Sequence, residues 1–484
     1  MGLRREYFTP VDEVNSLLLQ PQLINGDARK TLLSDAKLDF SGRSVGRPMY
    51  GKDKNNFGPS VGVAWSPSAT NGVLGWLLGD RKSVWRMGYQ IGYDSFFNNI
   101  ASNALSSSPN LLSTLTTSVA DTSNPRGISN FTNSVPSVAR AVLPTDAQTL
   151  MLANLRNPYY QHWSGGIQRT IKSGTVVDVA YVGSKGTRLY LNEDLNPLVP
   201  LNLRVLPTGV TAANVPFTLP GRLDNLQGTR TIRTNGGSSS YHSLQISGRR
   251  QVTKDMSFTG TYTWSKLLDN GSEVFSFTNF QNANLPAIPA IFGGQQNERG
   301  PSAFDRTERT VLTWVYELPF FKTQSGVLGH LAGGWKANGN VTFESGVPVS
   351  IINGLDADGF GGATADRPDF NPKGQPGVRA QISSTSPTGY VNPENNNAPI
   401  SPADAMYIQL PTCNVTQNPN GCRPGNLGRN TFRSPGIANV DFSLAKTTKI
   451  TERVGADLRA EFFNLFNHPQ YGNPGVGAFQ PASS

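Results

Sequence analysis

The chain has 484 residues, a formal net charge of +9 and only 15% charged residues, against roughly 25% in soluble domains. Its lysines and arginines are scattered, with adjacent pairs such as Arg4-Arg5, Arg81-Lys82 and Arg249-Arg250 but no block, so the basic balance marks no nucleic-acid face. No run approaches the ~18 apolar residues of a membrane helix, and Met1–Val14 lacks the apolar core of a signal peptide. With 50 Gly and 34 Pro and a mean hydropathy of −0.33, the composition favours many strands joined by polar turns. A barrel reaches this length without a thicker core, because its strand count grows instead.

Two-residue alternation is the dominant pattern, and successive strand side chains point to opposite faces. Trp85, Met87, Tyr89, Ile91 and Tyr93 oppose Val84, Arg86, Gly88, Gln90 and Gly92. Gly183-Ser184-Lys185-Gly186 superficially resembles part of a phosphate loop but lacks the preceding spaced glycine, and is read as a hairpin turn. Leu244 and Ile246 oppose Gln245, Ser247 and Arg249. From Met256 to Ser265 the alternation is nearly complete: Met256, Phe258, Gly260, Tyr262 and Trp264 form one face, and Ser257, Thr259, Thr261, Thr263 and Ser265 the other. Leu312, Trp314, Tyr316 and Leu318 form a further apolar face, as does Trp335–Phe343 taken at every second residue. Val454 to Phe462, likewise at every second residue, is the last. A soluble sandwich gives the same alternation, but the length of these strands and the Trp, Tyr and Phe near their ends favour a lipid-facing wall.

The connections differ in kind. Gln251–Asp255 and Thr447–Glu452 are short; the stretches near 100–144, 192–236, 266–305 and 353–434 are long, polar and low in pattern. Short turns on one side and long loops on the other are expected of an outer-membrane barrel. The fold expected is therefore all-β: one antiparallel transmembrane β-barrel over residues 1–484, of large-barrel type and incomplete at both ends.

Few residues carry chemistry. His162, His242, His330 and His468 stand at no metal-ligand spacing, and no nucleophile elbow, zinc-protease helix motif or phosphate loop is present. No enzymatic activity and no cofactor are expected. Asp356 and Asp358, with Asp366 further on, hint at a calcium loop but miss the spacing of the helix–loop–helix calcium motif. An ordinary acidic loop is the competing reading. Cys413 and Cys422, in a turn-rich segment, suit a local disulfide, with two free thiols as the alternative. Arg249, Glu344, Asp457, Arg459 and Glu461 fall on the polar parity of their strands, hence toward a lumen. There they would pair across it, touch a plug or simply keep the wall wet.

The run Arg459–Pro474, RAEFFNLFNHPQYGNP, resembles the penultimate-strand and loop signature of the Oar-like TonB-dependent receptors. Further similar stretches follow in that family's order: Gly2–Pro10, Lys52–Pro67 (around NNFGPSVGVAWSP), Arg86–Phe97, Asn157–Leu189, Ser239–Leu268, Phe304–Phe320, Gly334–Pro348 and Asn426–Leu444. The resemblance implies an outer-membrane receptor or transporter barrel surrounded by lipid and lipopolysaccharide. It implies an unidentified extracellular ligand bound at the long loops. It also implies contact with the TonB complex, made only through an N-terminal plug region that this chain does not include. A passive porin or structural outer-membrane protein and a secreted β-rich adhesin are the competing readings. A β-propeller enzyme would need a repeat of roughly 40–50 residues, which the sequence lacks.

Overall fold

The computed structural model describes the chain apart from 22–37, 96–147, 200–220, 274–276, 279–280, 283–293, 360–365, 415–421, 452–453, 473–478, 480–484 and scattered positions among 13–17, 69–80, 153, 173, 225–229 and 295–296. Eleven strands build one wall: β1 (Gly2–Glu6), β2 (Asn56–Trp65), β3 (Ser83–Tyr93), β4 (Tyr159–Lys172), β5 (Thr175–Asp194), β6 (Arg230–Thr253), β7 (Met256–Asp269), β8 (Glu308–Glu317), β9 (Trp335–Glu344), β10 (Ile437–Lys449) and β11 (Gly455–Phe462). Each pairs antiparallel with the next in sequence, and two short side strands bring the sheet to 13. Among the described residues β1 and β11 each have one neighbour, so the wall is an open sheet.

Register turns the local alternation into one continuous surface. Met87 stands opposite Val63 and Gly165; Tyr181 lies across from Leu244, and Leu244 from Trp264. Gly260 faces Leu312, Leu312 faces Val341, and Val341 faces Val440. Directly paired residues project to the same side, so the apolar residues of β2 to β11 share a single face. That face is exposed: Val63 is 60% accessible, Met87 60%, Trp264 54% and Leu312 45%. A soluble sandwich would cover these side chains against a second sheet; here the described buried hydrophobics, such as Met49, Leu155, Val349, Ile352 and Leu427, lie in the connections instead.

Aromatic rings rest on glycines within this face. A Cβ on Gly183 would come within 2.3 Å of the Trp163 indole, and one on Gly339 within 2.5 Å of Trp314. This corrects the expected hairpin turn at Gly183-Ser184-Lys185-Gly186, which lies inside the 20-residue strand β5. The glycines there serve close packing, not chain reversal.

Antiparallel order sends alternate connections to opposite rims. At one rim lie 173–174, 254–255 and 450–454, with 66–82 and 318–334, the latter carrying the helix Gly326–Ala332. At the other lie 7–55, 94–158, 195–229, 270–307 and 345–436. The described parts of the 192–236, 266–305 and 353–434 stretches fall at this second rim, with bounds that differ from those expected. β5 and β6 run on to Asp194 and back from Arg230, inside the 192–236 stretch, and β7 continues to Asp269. The 100–144 stretch lies outside the described residues.

The 353–434 stretch is not patternless. It folds into a five-stranded sheet of Asp369–Phe370, Gln375–Ile382, Tyr390–Asn392, Ala398–Pro399 and Ala405–Ile408. Two 3-10 turns join in, each with a proline in its first turn; Asn392 and Ser401 cap them by accepting from backbone N–H groups. Strands of two to eight residues interrupted by Pro and Gly leave no periodicity to read.

The face assignment sets opposite fates for neighbouring substitutions. Leu312 sits on the apolar face, between Gly260 and Val341, and Thr313 on the other, between Thr259 and Asn340. Leu312→Arg is expected to cost roughly 2–4 kcal/mol of folding in a bilayer and Thr313→Arg far less. Folded fractions after refolding into vesicles, read from heat-modifiable gel migration, check this; equal losses would refute the assignment.

Candidate functional site

The long-loop rim is held by buried charge. Arg429, from the 345–436 connection, pairs with Asp269 at the end of β7, with 5% and 6% of the two side chains accessible. Its Nε also donates to the Glu298 carbonyl at 2.9 Å. Arg367 pairs with the Glu298 carboxylate at 3.1 Å, again with both partners buried, and donates to the Leu427 carbonyl at 2.8 Å. Arg433 pairs with Asp305, whose side chain is fully buried and also accepts from the Leu267 N–H. Three arginines of one loop are thus fastened to Asp269 at the end of β7 and to two acids, Glu298 and Asp305, of the loop that follows it. Charges without water are tolerated only when paired and hydrogen-bonded, and each of these is both.

The five charged residues expected to face a lumen stand on the parity opposite the apolar face. Arg249 is paired in register with Thr259, Asp457 with Thr447, Arg459 with Ala445, and Glu461 with Ser443. Glu344 receives Arg306 and, at 3.1 Å, Arg309; Arg459 approaches Glu461 at 3.5 Å. These pairs run along the wall, between nearby residues of it. Among the described residues no acid lies within ion-pair reach of Arg249 and no base within reach of Asp457. Around them the polar parity carries Thr259, Thr261, Thr313, Asn338, Asn340 and Ser443, in register across β7 to β10.

Asp356, Asp358 and Asp366 do converge: their carboxylate oxygens lie within 4.8 Å of one another. The Ala357 N–H donates to Asp366 at 2.6 Å and the Gly359 N–H to Asp356 at 2.8 Å. Burial, reinforced by the neighbouring Asp356 carboxylate, pushes the Asp366 carboxyl up to about 7. Three carboxylates fall short of the six to eight oxygens usual for calcium, and one Asp366 oxygen is already engaged by the backbone. The three carboxylates crowd one turn, where burial favours the protonated form of Asp366. Cys413 and Cys422 form a disulfide beside it. The Cys413 N–H donates to the Asp356 carbonyl at 2.7 Å, and the Arg423 N–H to that of Ala357 at 3.2 Å.

An exposed apolar face, a polar second face and rims of unequal loop length are the marks of a membrane wall made of strands. The whole chain, residues 1–484, matches the outer membrane beta barrel domain family. The chain belongs to that family. This places the barrel in the outer membrane and agrees with the absence of any catalytic constellation noted from the sequence. Solved structures with a similar fold include the outer membrane transporter YddB from Escherichia coli (10% identity, 90% of this chain and 38% of that one, TM-score 0.40). Others are the ferric enterobactin receptor PfeA from Pseudomonas aeruginosa, as a variant (10%, 89% and 38%, 0.39), and the alcaligin receptor FauA from Bordetella pertussis (11%, 88% and 37%, 0.29). The chain spans little more than a third of each of these proteins. No curated protein sequence matches it.

Sequence reasoning missed the arginine–acid network of the outer membrane barrel. Its partners lie 69, 160 and 128 residues apart, as Arg367–Glu298, Arg429–Asp269 and Arg433–Asp305. Single arginines in Pro-, Gly- and Asn-rich stretches were the sole visible trace.

Removing one partner strands the other in a dry site, so Arg429→Ala is expected to destabilise the 345–436 loop by roughly 3–5 kcal/mol. Limited proteolysis within 353–434, at constant barrel content by circular dichroism, would register it. Asp366 gives a pH dependence of defined sign. Its folded pKa of about 7 lies above the ordinary carboxylate value of 3.8, so its contribution to loop stability is full below 3.8 and is lost as pH rises through 7. Amides of 353–358 should exchange faster at pH 8 than at pH 5.5 after correction for intrinsic rates. Asp366→Asn should remove the difference; an unchanged difference would refute the assignment.

Proposed function

We propose that this barrel is the wall and loop crown of a TonB-dependent receptor of the Oar-like type, which binds a ligand at its long loops and supports uptake across the outer membrane. The observation that carries this reading is the loop crown itself. Its longest described connection is folded into a sheet of its own and fastened by ion pairs to buried acids of the neighbouring loop and of the end of β7. A passive pore needs only a wet lumen, whereas a receptor needs loops held in place before the ligand arrives, because ordering them afterwards weakens binding. The ordered series of stretches from Gly2 to Pro474 that resembles those receptors points the same way. So does the polar, partly charged inner parity, which offers a ligand hydrogen-bonding groups along the wall.

In this reading the TonB complex acts through a plug region that is not part of these 484 residues, and outer-membrane lipid surrounds the apolar face. No nucleic acid, metal or cofactor takes part. The test is genetic and transport-based. Ligand depletion from the medium is compared in source cells, in cells lacking the gene, and in cells whose TonB complex is disabled. The expected outcome is loss of uptake in both altered strains. Uptake that persists without TonB would replace this reading with a passive porin, and an unaltered medium in all three strains would favour a structural role.

A further inference from the structure

On the apolar face, the rows of side chains near the long-loop rim change character abruptly. Val179, Ile246 and Tyr262 stand in register across β5, β6 and β7. One step higher lie Tyr181, Leu244 and Trp264, and above them His242 flanked by Gly183 and Lys266. The Tyr181 hydroxyl and His242 Nδ1 are 2.6 Å apart, and the Trp163 ring lies 6.0 Å from that imidazole. One further step up, Lys185 faces Ser240. There the Arg299 guanidinium donates to the Ser240 hydroxyl at 2.7 Å and approaches that of Ser238 at 3.4 Å. Arg188 lies over the Tyr159 ring, 5.9 Å from its centre. Lys185, Arg188 and Arg299 are exposed, and none has an ion-pair partner among the described residues. Lys266 adds a fourth cation, 4.0 Å from Asp305.

The nearby acids do not neutralise this patch. Asp269 and Asp305 are buried and committed to Arg429 and Arg433. Glu308, in register with Trp264, is the exposed carboxylate one step below the His242 row. Cations on a lipid-facing wall survive where their heads reach the headgroup layer and their stems lie along apolar surface, and a belt of Trp and Tyr marks that layer. Three unpaired cations just above such a belt, joined by Lys266 at the edge of the Asp305 pair and with serine hydroxyls between them, have the chemistry of a phosphate seat. Guanidinium meets phosphate with paired donors, and ammonium meets it as a point charge.

We propose that the outer surface of β5–β7 near the long-loop rim, centred on Lys185, Arg188, Arg299 and Lys266, holds the phosphorylated headgroup of a membrane lipid in the leaflet on that side, with its acyl chains along Val179, Ile246 and Tyr262. The apolar rows continue directly beneath the cations, so a lipid satisfies both, whereas a free anion would leave the greasy surface unused. Lys185 and Arg188 on β5 and Lys266 on β7 stand two strand spacings of ~4.8 Å apart, with Arg299 from the 270–307 connection over the β6 serines between them, a width that meets more than one phosphate of a headgroup such as that of lipopolysaccharide. The inference rests on the outer-membrane barrel reading and on the long loops facing outward.

The test uses the full chain folded in detergent micelles, with bound lipid counted by native mass spectrometry. The probes are a diphosphorylated lipid A, the same lipid without its phosphates, and inorganic phosphate as competitor. The variant is Lys185→Ala/Arg188→Ala/Arg299→Ala, with Arg250→Ala/Lys254→Ala at the opposite rim as control. Wild type and control should retain diphosphorylated lipid A equally, and the triple variant should bind it about a hundredfold more weakly, given about one phosphate-attracting increment per cation. Dephosphorylated lipid should distinguish none of the three. Equal retention by the triple variant would overturn the proposal, as would displacement of the lipid by millimolar inorganic phosphate, which would make the site one for free anions. Heat-modifiable migration is read on each protein first: its loss in wild type would tell against the barrel itself, and its presence in all three isolates the patch.

Discussion

The backbone of a strand wall has one place to direct its donors and acceptors, the neighbouring strand, because lipid offers none. Everything else in this protein follows from that constraint. Once each strand from β1 to β11 is paired with the next, its side chains are divided by parity, and the division propagates through the register except at bulges near the strand ends. One parity is then free to be apolar and exposed, the other polar. The usual ordering of a soluble protein is inverted, with tryptophans and leucines on the outside of the wall and the buried side chains gathered at the rim.

At that rim the material for burial is mostly polar. Asn196, Asn353, Asn430, Asp305 and Asp358 are among the largest fully buried side chains. Such a core gains little from the hydrophobic effect, and its buried ion pairs are better understood as fixing one arrangement of loops than as adding net stability. Arg367, Arg429 and Arg433 each tie a long loop to an acid that itself sits at or just beyond the top of the wall. The crown therefore inherits its position from the sheet. A loop anchored in this way presents a shaped surface to the medium, which is what recognition at loops requires.

The same geometry explains the patch above the aromatic belt. Acids of this region are drawn inward to meet the loop arginines, and the outward parity of β5 to β7 keeps its cations. Charge separation across the wall thus arises from packing at the rim, without any basic run in the sequence.

Much of the wall was legible in the chain alone. Alternation at Trp85–Tyr93, Met256–Ser265 and Trp335–Glu344 assigned the faces, since the side-chain period of a strand is two and needs no knowledge of its neighbours. Shortness of the links near 251–255 and 447–452 against the length of the others separated the two rims. What the sequence could not determine was everything set by register and by contacts between distant residues. Gly183 reads as a turn glycine until Trp163 is known to lie across from it, one strand away. Arg429 reads as a loop residue until Asp269, 160 positions earlier, is brought beneath it. The small sheet within 353–434 has strands too short to show a period. A local pattern reports what each residue prefers; which residues meet depends on how many residues each connection spends before the next strand pairs, and only the folded chain fixes that.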